Sequence, residues 1–416
     1  MQSNASDDPV WQAVAQEEER QEAHLELIAS ENHTSAEVLA AMGTRLTDKY
    51  AEGYPGKRYY GGCENVDKVE ELCLARARTL FGAEAANVQP HSGTQANVAA
   101  LMAALEPKDR LLAMSLDHGG HLSHGHPKNF SGLFYEIHSY GVQKKSERID
   151  MDEVRDKARA VRPKLLLAGA SAYSRTLDFA AFAEIAREVG AVLMVDQAHI
   201  AGLVAGGVHP SPVPHADIVT MTTHKTLRGP RGGLVVCKEA WLKRINSAVF
   251  PGGQGGPFMH GIAAKAIALR EAASDDFRRY AHAVVDNAAL LARTLAERGL
   301  RIVSGGTDNH LMLVDVSGQG LTGAEAEAAL GAVDVTCNKN LIPYDAQPPM
   351  KASGVRFGTA AVTSRGLGRD EIVRMAGAIA DVLHAPRDEG VRRRVRGVVR
   401  ELTEAFPIRA AREQLS

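Results

Sequence analysis

The sequence predicts an α/β protein: a mainly parallel β-sheet with helices on both faces, followed by a smaller α+β domain. Three observations predict it. Short β-rich runs alternate with helical patterns through the middle of the chain, as strand–helix–strand units do. The chain has 416 residues, too many for one ordinary core. From about Asp275 its character changes to long Ala/Leu/Arg helical patterns.

The elements follow in order. Pro9 to Ile28 reads as a helix, with Asp8 and Pro9 suited to its start and Glu17, Glu18 and Glu19 on a solvated face. It forms an N-terminal arm over residues 1–30. A large domain is expected over 31–274. Within it Lys164–Ala168 reads as a buried strand. Asp178–Val189 reads as a helix with Phe179, Phe182, Ile185 and Ala186 on one face. Val192–Val195, Ile218–Met221 and Gly233–Cys237 read as further strands. The remaining domain, 275–416, opens with a helix to Gly299. Runs at Arg301–Val303 and Leu311–Val316, a helix near Gly323–Leu330 and two closing helices come next. The basic run Arg392–Arg400 carries Val391, Val395, Val398, Val399 and Leu402 at helical spacing, which favours an amphipathic helix over a polyanion site.

Composition excludes several classes. Apolar residues make up 45% and charged residues 24%, which rules out disorder on a large scale. A net charge of −2 gives no attraction to nucleic acid or an anionic membrane. No stretch approaches the roughly 20 apolar residues of a membrane span, and the amino terminus has no signal-peptide core. Cys63, Cys73, Cys237 and Cys337 form neither a CxxC pair nor a metal-ligand spacing, so a cytoplasmic location is expected and no metal site.

Six strings carry chemistry. Thr222-Thr223-His224-Lys225-Thr226 follows an apolar strand and precedes glycines. A lysine in such a crevice can lose its proton and condense with an aldehyde, although a surface lysine in a glycine-rich loop would look the same. Asp196, in Val195-Asp196-Gln197-Ala198-His199, also ends a strand; it suits pairing with a protonated pyridine nitrogen, or a helix cap. His91-Ser92-Gly93-Thr94-Gln95-Ala96-Asn97 opens an Ala-rich helix whose first N–H groups suit a phosphate, or is an ordinary N-cap. The glycine string Pro251–Pro257 is a second phosphate contact or a loop. In Asp117–His124 several histidines stand close, but no local carboxylate or cysteine completes a metal set; an imidazole stacked on a flat cofactor is at least as good a reading. Arg356, in a glycine-flanked strand, suits a bidentate clamp on a carboxylate, or a surface ion pair.

Together these strings resemble the serine hydroxymethyltransferase family over nearly the whole chain. The matching segments include Glu26–Asn32, Lys49–Glu64, Val88–Asn97, His118–Gly125, Thr222–Gly233, Ala248–Pro257, Ser304–Leu311 and Asn338–Asn340. The resemblance implies an aminotransferase-like fold of type I, with a seven-stranded sheet, pyridoxal 5'-phosphate as cofactor and tetrahydrofolate as co-substrate. It implies that Lys225 holds the cofactor covalently, that Asp196 pairs with its ring nitrogen and that His121 stacks on the ring. His199 and Ser171 would lie near the phenolic oxygen. Ser92, Gly93 and Thr94 would bind the phosphate, with Gly255 and Gly256 from a second subunit. Ser30, His199 and Arg356 would hold the amino acid. Tyr50, Glu52 and Tyr60 would reach it across a dimer interface, Glu52 handling protons; His224 and Thr222 would flank the lysine catalytically. Leu116, Gly120, Leu122 and Asn340 match folate-contacting positions. An obligate homodimer follows, as a dimer or a dimer of dimers.

The sequence departs from the family's usual pattern at Gln197, Met221, Ala360, Asn65 and Pro348-Pro349-Met350. Several of these flank the substrate or folate region. They keep two alternatives in view: transfer to alanine to make α-methylserine, and folate-independent cleavage of β-hydroxy amino acids. A catalytically silent scaffold is a third, opposed by Lys225, Asp196, Glu52, Tyr50 and Arg356.

Overall fold

A computed structural model describes residues 8–415. Helix α1 (Pro9–Ala23) begins as expected: the Asp8 carboxylate accepts the Val10 N–H and Pro9 occupies the first turn. It ends earlier than the expected Ile28. His24 leaves helical geometry, and Leu25–Glu26 pairs in parallel with Val335–Thr336. Extended backbone puts Leu25 and Leu27 on one side, and both are buried in the core of the C-terminal half.

Seven strands form the central sheet: β1 (Ala85–Asn87), β2 (Arg110–Met114), β3 (Glu136–Tyr140), β4 (Leu165–Ala168), β5 (Val192–Asp196), β6 (Ile218–Thr222) and β7 (Gly233–Cys237). Their spatial order is β1-β7-β6-β5-β4-β2-β3. The run from β6 to β3 is parallel. Strand β7 is antiparallel to both of its neighbours, so the sheet is mixed. The expectation of a mainly parallel sheet missed this reversal. Only Thr223–Gly232 separates β6 from β7, and a parallel return needs a crossover of about a dozen residues or more.

Side chains alternate between the faces. Leu112, Leu166, Leu193 and Val195 join the core beneath α2 (Glu64–Phe81). Leu111, Leu165, Leu167 and Met194 join the opposite core beneath α3 (Gly93–Ala104). The first core also takes α4 (Phe179–Val189), through Phe179, Phe182 and Ile185, and α5 (Met259–Ala272). The chain reverses its walk through the sheet at β2, with β3 on one side and β4, β5 and β6 on the other. Open α/β sheets bind ligands beyond the carboxyl ends of strands at such a point.

Helix α6 (Asp275–Glu297) serves both halves. Phe277, Tyr280 and Val284 pack in the central-sheet core, and Ala288, Leu291 and Leu295 in the second core. The second sheet is antiparallel, in the order β8 (Arg301–Ile302), β9 (Leu311–Asp315), β11 (Gly354–Gly358), β10 (Asn338–Asn340). Four helices follow it among the described residues, where two were expected: Ala360–Arg365, α7 (Arg369–His384), α8 (Glu389–Ala405) and Ile408–Gln414. The first and last of these are too short to show a helical period in the sequence. Helix α8 contains the basic run and buries Val395, Val399 and Leu402, each contributing roughly 1.5–3 kcal/mol.

Candidate active site

The crevice beyond β2, β4, β5 and β6 gathers most of the residues singled out by the sequence. Asp196 is the last residue of β5 and Thr222 the last of β6. The segments after β2 and β4 meet there. The Ser171 N–H donates to Gly119 O (2.8 Å) and its hydroxyl to Gly120 O (2.8 Å). A side chain on Gly119 or Gly120 would strike the backbone of Ala172 or Met114, so these glycines permit that close approach.

The Asp196 side chain is 8% exposed and fully engaged. Its Oδ2 lies 2.9 Å from His124 Nε2 and accepts from Asn97 Nδ2 at 2.8 Å, while Oδ1 accepts the Ala198 N–H at 2.9 Å. Burial alone would raise its pKa. The hydrogen bond and charge of His124, with His121 and Asn97, outweigh that and hold the carboxyl well below the usual range. Asn97 Nδ2 also donates to Ser123 Oγ (2.8 Å), which lies 2.7 Å from His121 Nδ1. Asp196 is thus the carboxylate that local sequence failed to supply beside these histidines: the ligand atoms of His121, His124 and Asp196 lie within 4.8 Å of one another. The hydrogen bonds orient a single anionic carboxylate.

Lys225 is buried. Desolvation lowers its amine to about 8; Asp196 opposes that shift, and Arg356 and Arg231 add to it. Its carbonyl accepts from Asn32 Nδ2 (2.8 Å). His224 Nδ1 accepts the Gly232 N–H at 3.4 Å, and burial, then Arg231 and Lys225, depress this imidazole to about 3. Thr222 Oγ1 donates to Ala198 O at 3.2 Å. His121 is depressed to about 4 by burial and then His124, so its ring is neutral. His199 Nδ1 lies 3.3 Å from His310 Nε2, and burial followed by Lys225 and Arg356 keeps His199 far below the ordinary histidine value.

Ser92 caps α3, its Oγ accepting the Gln95 N–H at 3.2 Å. The remaining first-turn N–H groups have no intrahelical acceptor. A Cβ on Gly93 would lie 2.5 Å from Thr222 Cγ2, which places the Ser92–Thr94 turn against the end of β6. Arg356 sits on β11, opposite Leu313 of β9 and Asn338 of β10. Its Nη1 donates to Ser171 O at 2.6 Å and its Nε to Asn338 Oδ1 at 3.3 Å; burial lowers it to about 10. Ser30 follows Ala29, whose Cα would collide with any side chain on Gly358 at the end of β11. Leu116 and Leu122 each open a 3₁₀ turn after β2, Leu122 exposed, and Asn340 ends β10.

A second group forms in the same chain. Tyr50 OH donates to Glu52 Oε1 at 3.2 Å, and the Tyr50 and Tyr60 rings meet edge-on at 5.0 Å. A Cβ on Gly255 would lie 3.3 Å from Glu52 Oε1, and one on Gly256 would lie 3.5 Å from the Tyr50 ring. Tyr50 and Tyr60 are exposed. Among the described residues no hydrogen bond joins this group to Lys225, Asp196 or Arg356. A cavity of about 1340 Å³ between α1 and α8, lined by Glu18, Glu22, Arg396 and Arg400 among others, contains none of the site residues.

Sequence reasoning missed His124, Asn97, His310 and Lys265. The first two stood inside quoted strings, but their partner Asp196 is far away in sequence. The donor set fits pyridoxal phosphate: an anionic carboxylate for a ring nitrogen, a lysine of lowered basicity, a neutral imidazole, and a helix start whose N–H groups suit a phosphate.

The departures at Gln197 and Met221 touch each other. Both are fully buried, with Gln197 Nε2 3.5 Å from Met221 Sδ, and Met221 belongs to the central-sheet core. Their side chains meet within the core.

The model of the serine hydroxymethyltransferase family matches residues 3–379. A serine hydroxymethyltransferase of Thiobacillus denitrificans (strain ATCC 25259 / T1) is 56% identical over 403 residues, covering 97% of both chains. With matches of that extent over a crevice of this composition, the chain belongs to the serine hydroxymethyltransferase family.

Proposed function

We propose that this enzyme interconverts serine and glycine, passing the hydroxymethyl carbon to and from tetrahydrofolate with pyridoxal phosphate as cofactor. The observation that carries the reading is the buried Lys225, its basicity lowered, one strand away from an anionic Asp196 held by His124 and Asn97. The family is pyridoxal-phosphate dependent and uses tetrahydrofolate as co-substrate. The α-methylserine and folate-independent alternatives are not favoured: the 56% identical relative bears the serine name, and Gln197 and Met221 pair within the core.

Bound pyridoxal phosphate supplies an electron sink for negative charge at the α-carbon. The chain's own residues do the rest. Lys225 offers a neutral amine at moderately alkaline pH. Asp196 would pair with the ring nitrogen and keep its proton, and His121 would cover the ring face without competing charge. His199 and Ser171 would lie beside the phenolic oxygen. Ser92, Gly93 and Thr94 would hold the phosphate. Arg356 clamps the amino acid's carboxylate, with Ser30 and His199 beside it, which orients serine for breakage of its Cα–Cβ bond. Glu52 and Tyr60 move the hydroxyl and folate protons, and His224 and Thr222 brace Lys225. Leu116, Gly120, Leu122 and Asn340 receive the folate at the mouth. The one-carbon unit leaves at the formaldehyde level, and tetrahydrofolate captures it with loss of water.

The group Tyr50, Glu52, Tyr60, Gly255 and Gly256 completes the site of a second copy, making a symmetric dimer the minimal active unit. The exposure of Tyr50 and Tyr60, and the lack of any hydrogen bond from this group to Lys225, Asp196 or Arg356 among the described residues, support this. The proposed division is an arm over 1–30, a cofactor domain over 31–274 and a small domain over 275–416, in a protein of the cytoplasm. No helix among the described residues is long and apolar enough to cross a membrane. Lys225→Ala tests the assignment. The purified variant is expected to lack the visible absorbance of lysine-bound cofactor and to have no transferase activity; a normal band in the variant would overturn it.

A further inference from the structure

Lys265 takes no part in the chemistry above, yet its ammonium is tightly held. It lies on α5 and is 4% exposed. Its ammonium donates to three backbone carbonyls: Val88 O at 2.8 Å, Pro90 O at 2.9 Å and Gly233 O at 2.8 Å. An ammonium has three donors, and all three are used. Those carbonyls come from the exit of β1, from the loop two residues before Ser92, and from the start of β7. Pro90 O also accepts the Gly233 N–H at 3.0 Å. A Cβ on Gly232 would come within 2.5 Å of Lys265 Cε, so the β6–β7 turn also closes on this side chain. From the other side, Gln254 accepts the His91 N–H (2.9 Å) and donates to Gln89 O (3.0 Å).

No carboxylate pairs with Lys265 among the described residues. Glu70, the acid whose charge it feels, is bound to Arg58 at 2.6 Å and Gln89 at 2.8 Å. Cys73 is pushed up to about 12 by burial and is a neutral thiol; His91 is lowered by burial and then by Lys265 itself. Burial brings Lys265 down to about 8, leaving it mainly protonated at neutral pH. A buried cation without a counter-ion is costly, and this one holds the Pro90 carbonyl, two residues before Ser92.

We propose that Lys265 is a positioning residue for the cofactor's phosphate: it staples the loop that leads into Ser92–Thr94 and supplies the fixed positive charge behind it. The inference rests on the reading of Ser92–Thr94 as the phosphate cradle. The phosphate dianion is the counter-charge the buried ammonium lacks.

Pyridoxal, which has the ring and aldehyde but no phosphate, separates this role from general stability. Apoprotein of the wild type, Lys265→Met and Ser92→Ala is titrated with pyridoxal phosphate and with pyridoxal. In Lys265→Met the phosphate ester is expected to bind about 10-fold or more weakly, and pyridoxal within about 3-fold of wild type, because the fixed positive charge behind the phosphate is gone. Parallel losses for both, or no loss for either, would overturn the proposal. Ser92→Ala tests the cradle separately. If it keeps the full preference for the phosphate ester, the cradle assignment itself is wrong; if it loses that preference and Lys265→Met does not, only the role of Lys265 is wrong. Should Lys265→Met not fold, Lys265→Gln, whose amide can still donate to two of the carbonyls, is read in the same way. Failure of both variants to fold would assign Lys265 to folding alone and refute the proposal.

Discussion

The lowered basicity of Lys225 makes the apoprotein's behaviour with pH quantitative. An ordinary lysine titrates at 10.5 and this one at about 8, because burial disfavours the ammonium more than Asp196 favours it. At pH 7 about one amine in ten is then free, against about one in three thousand at the ordinary value, a gain of about 300-fold. Capture of the cofactor aldehyde by apoprotein is expected to speed up about tenfold per pH unit below 8 and to level off above it. Stopped-flow absorbance measures this directly. The same displacement affects stability. The folded pKa lies below the unfolded one, so the unfolded chain binds more protons between about 8 and 10.5, and stability rises with pH across that window. At about 1.4 kcal/mol per pH unit, the cost carried below pH 8 and relieved by 10.5 is about 3 kcal/mol. Lys225→Met removes the charge. Urea unfolding of its apoprotein is expected to show a gain of about 3 kcal/mol over wild type at pH 7, closing as the pH approaches 10.5. A capture rate that climbs without a bend to pH 10, or a stability gap indifferent to pH, would refute the reasoning.

Two further outcomes follow from the geometry. If sites are completed across a dimer, Glu52→Gln and Lys225→Ala chains are each inactive alone, but remixing them from denaturant yields hybrid dimers with one intact site; about a quarter of wild-type activity should return under random pairing, whereas sites built from single chains would recover none. Gln197→Met removes a buried amide whose Oε1 has no partner; thermal melts should show a gain of about 1 kcal/mol with unchanged preference among amino acids, and a switch of substrate in this variant would return Gln197 to a specificity role.

The sheet was legible where runs were unbroken: Leu165–Ala168, Val192–Asp196 and Ile218–Thr222 all fall within or beside the expected strands. The reversal of β7 was written in the short Thr223–Gly232 connection rather than in the strand's own residues. Leu25 and Leu27 looked helical because their partner strand, Val335–Thr336, lies in the other half of the chain. The site shows the same divide. Lys225, Asp196 and Arg356 announce themselves by residue type at the end of a strand or between glycines. His124 and Asn97 acquire meaning only when β5 brings Asp196 to them, and Lys265 sits in an unremarkable Ala-rich helix until three carbonyls from distant segments converge on it. Tyr50 and Glu52 carry no local signal of their own; family resemblance marked them, and among the described residues no hydrogen bond ties them to the lysine they are proposed to serve.

The most direct test of the central claim is a substrate panel run with and without tetrahydrofolate on purified holoenzyme. L-serine, glycine, D-alanine and α-methyl-L-serine are compared by following the amino-acid product. Rapid conversion of L-serine to glycine that depends on tetrahydrofolate, at least about 100-fold faster than any reaction of the α-methyl pair, is the expected result for a site built around an unbranched α-carbon. Faster turnover of α-methyl-L-serine or D-alanine, or serine cleavage undiminished without folate, would contradict it.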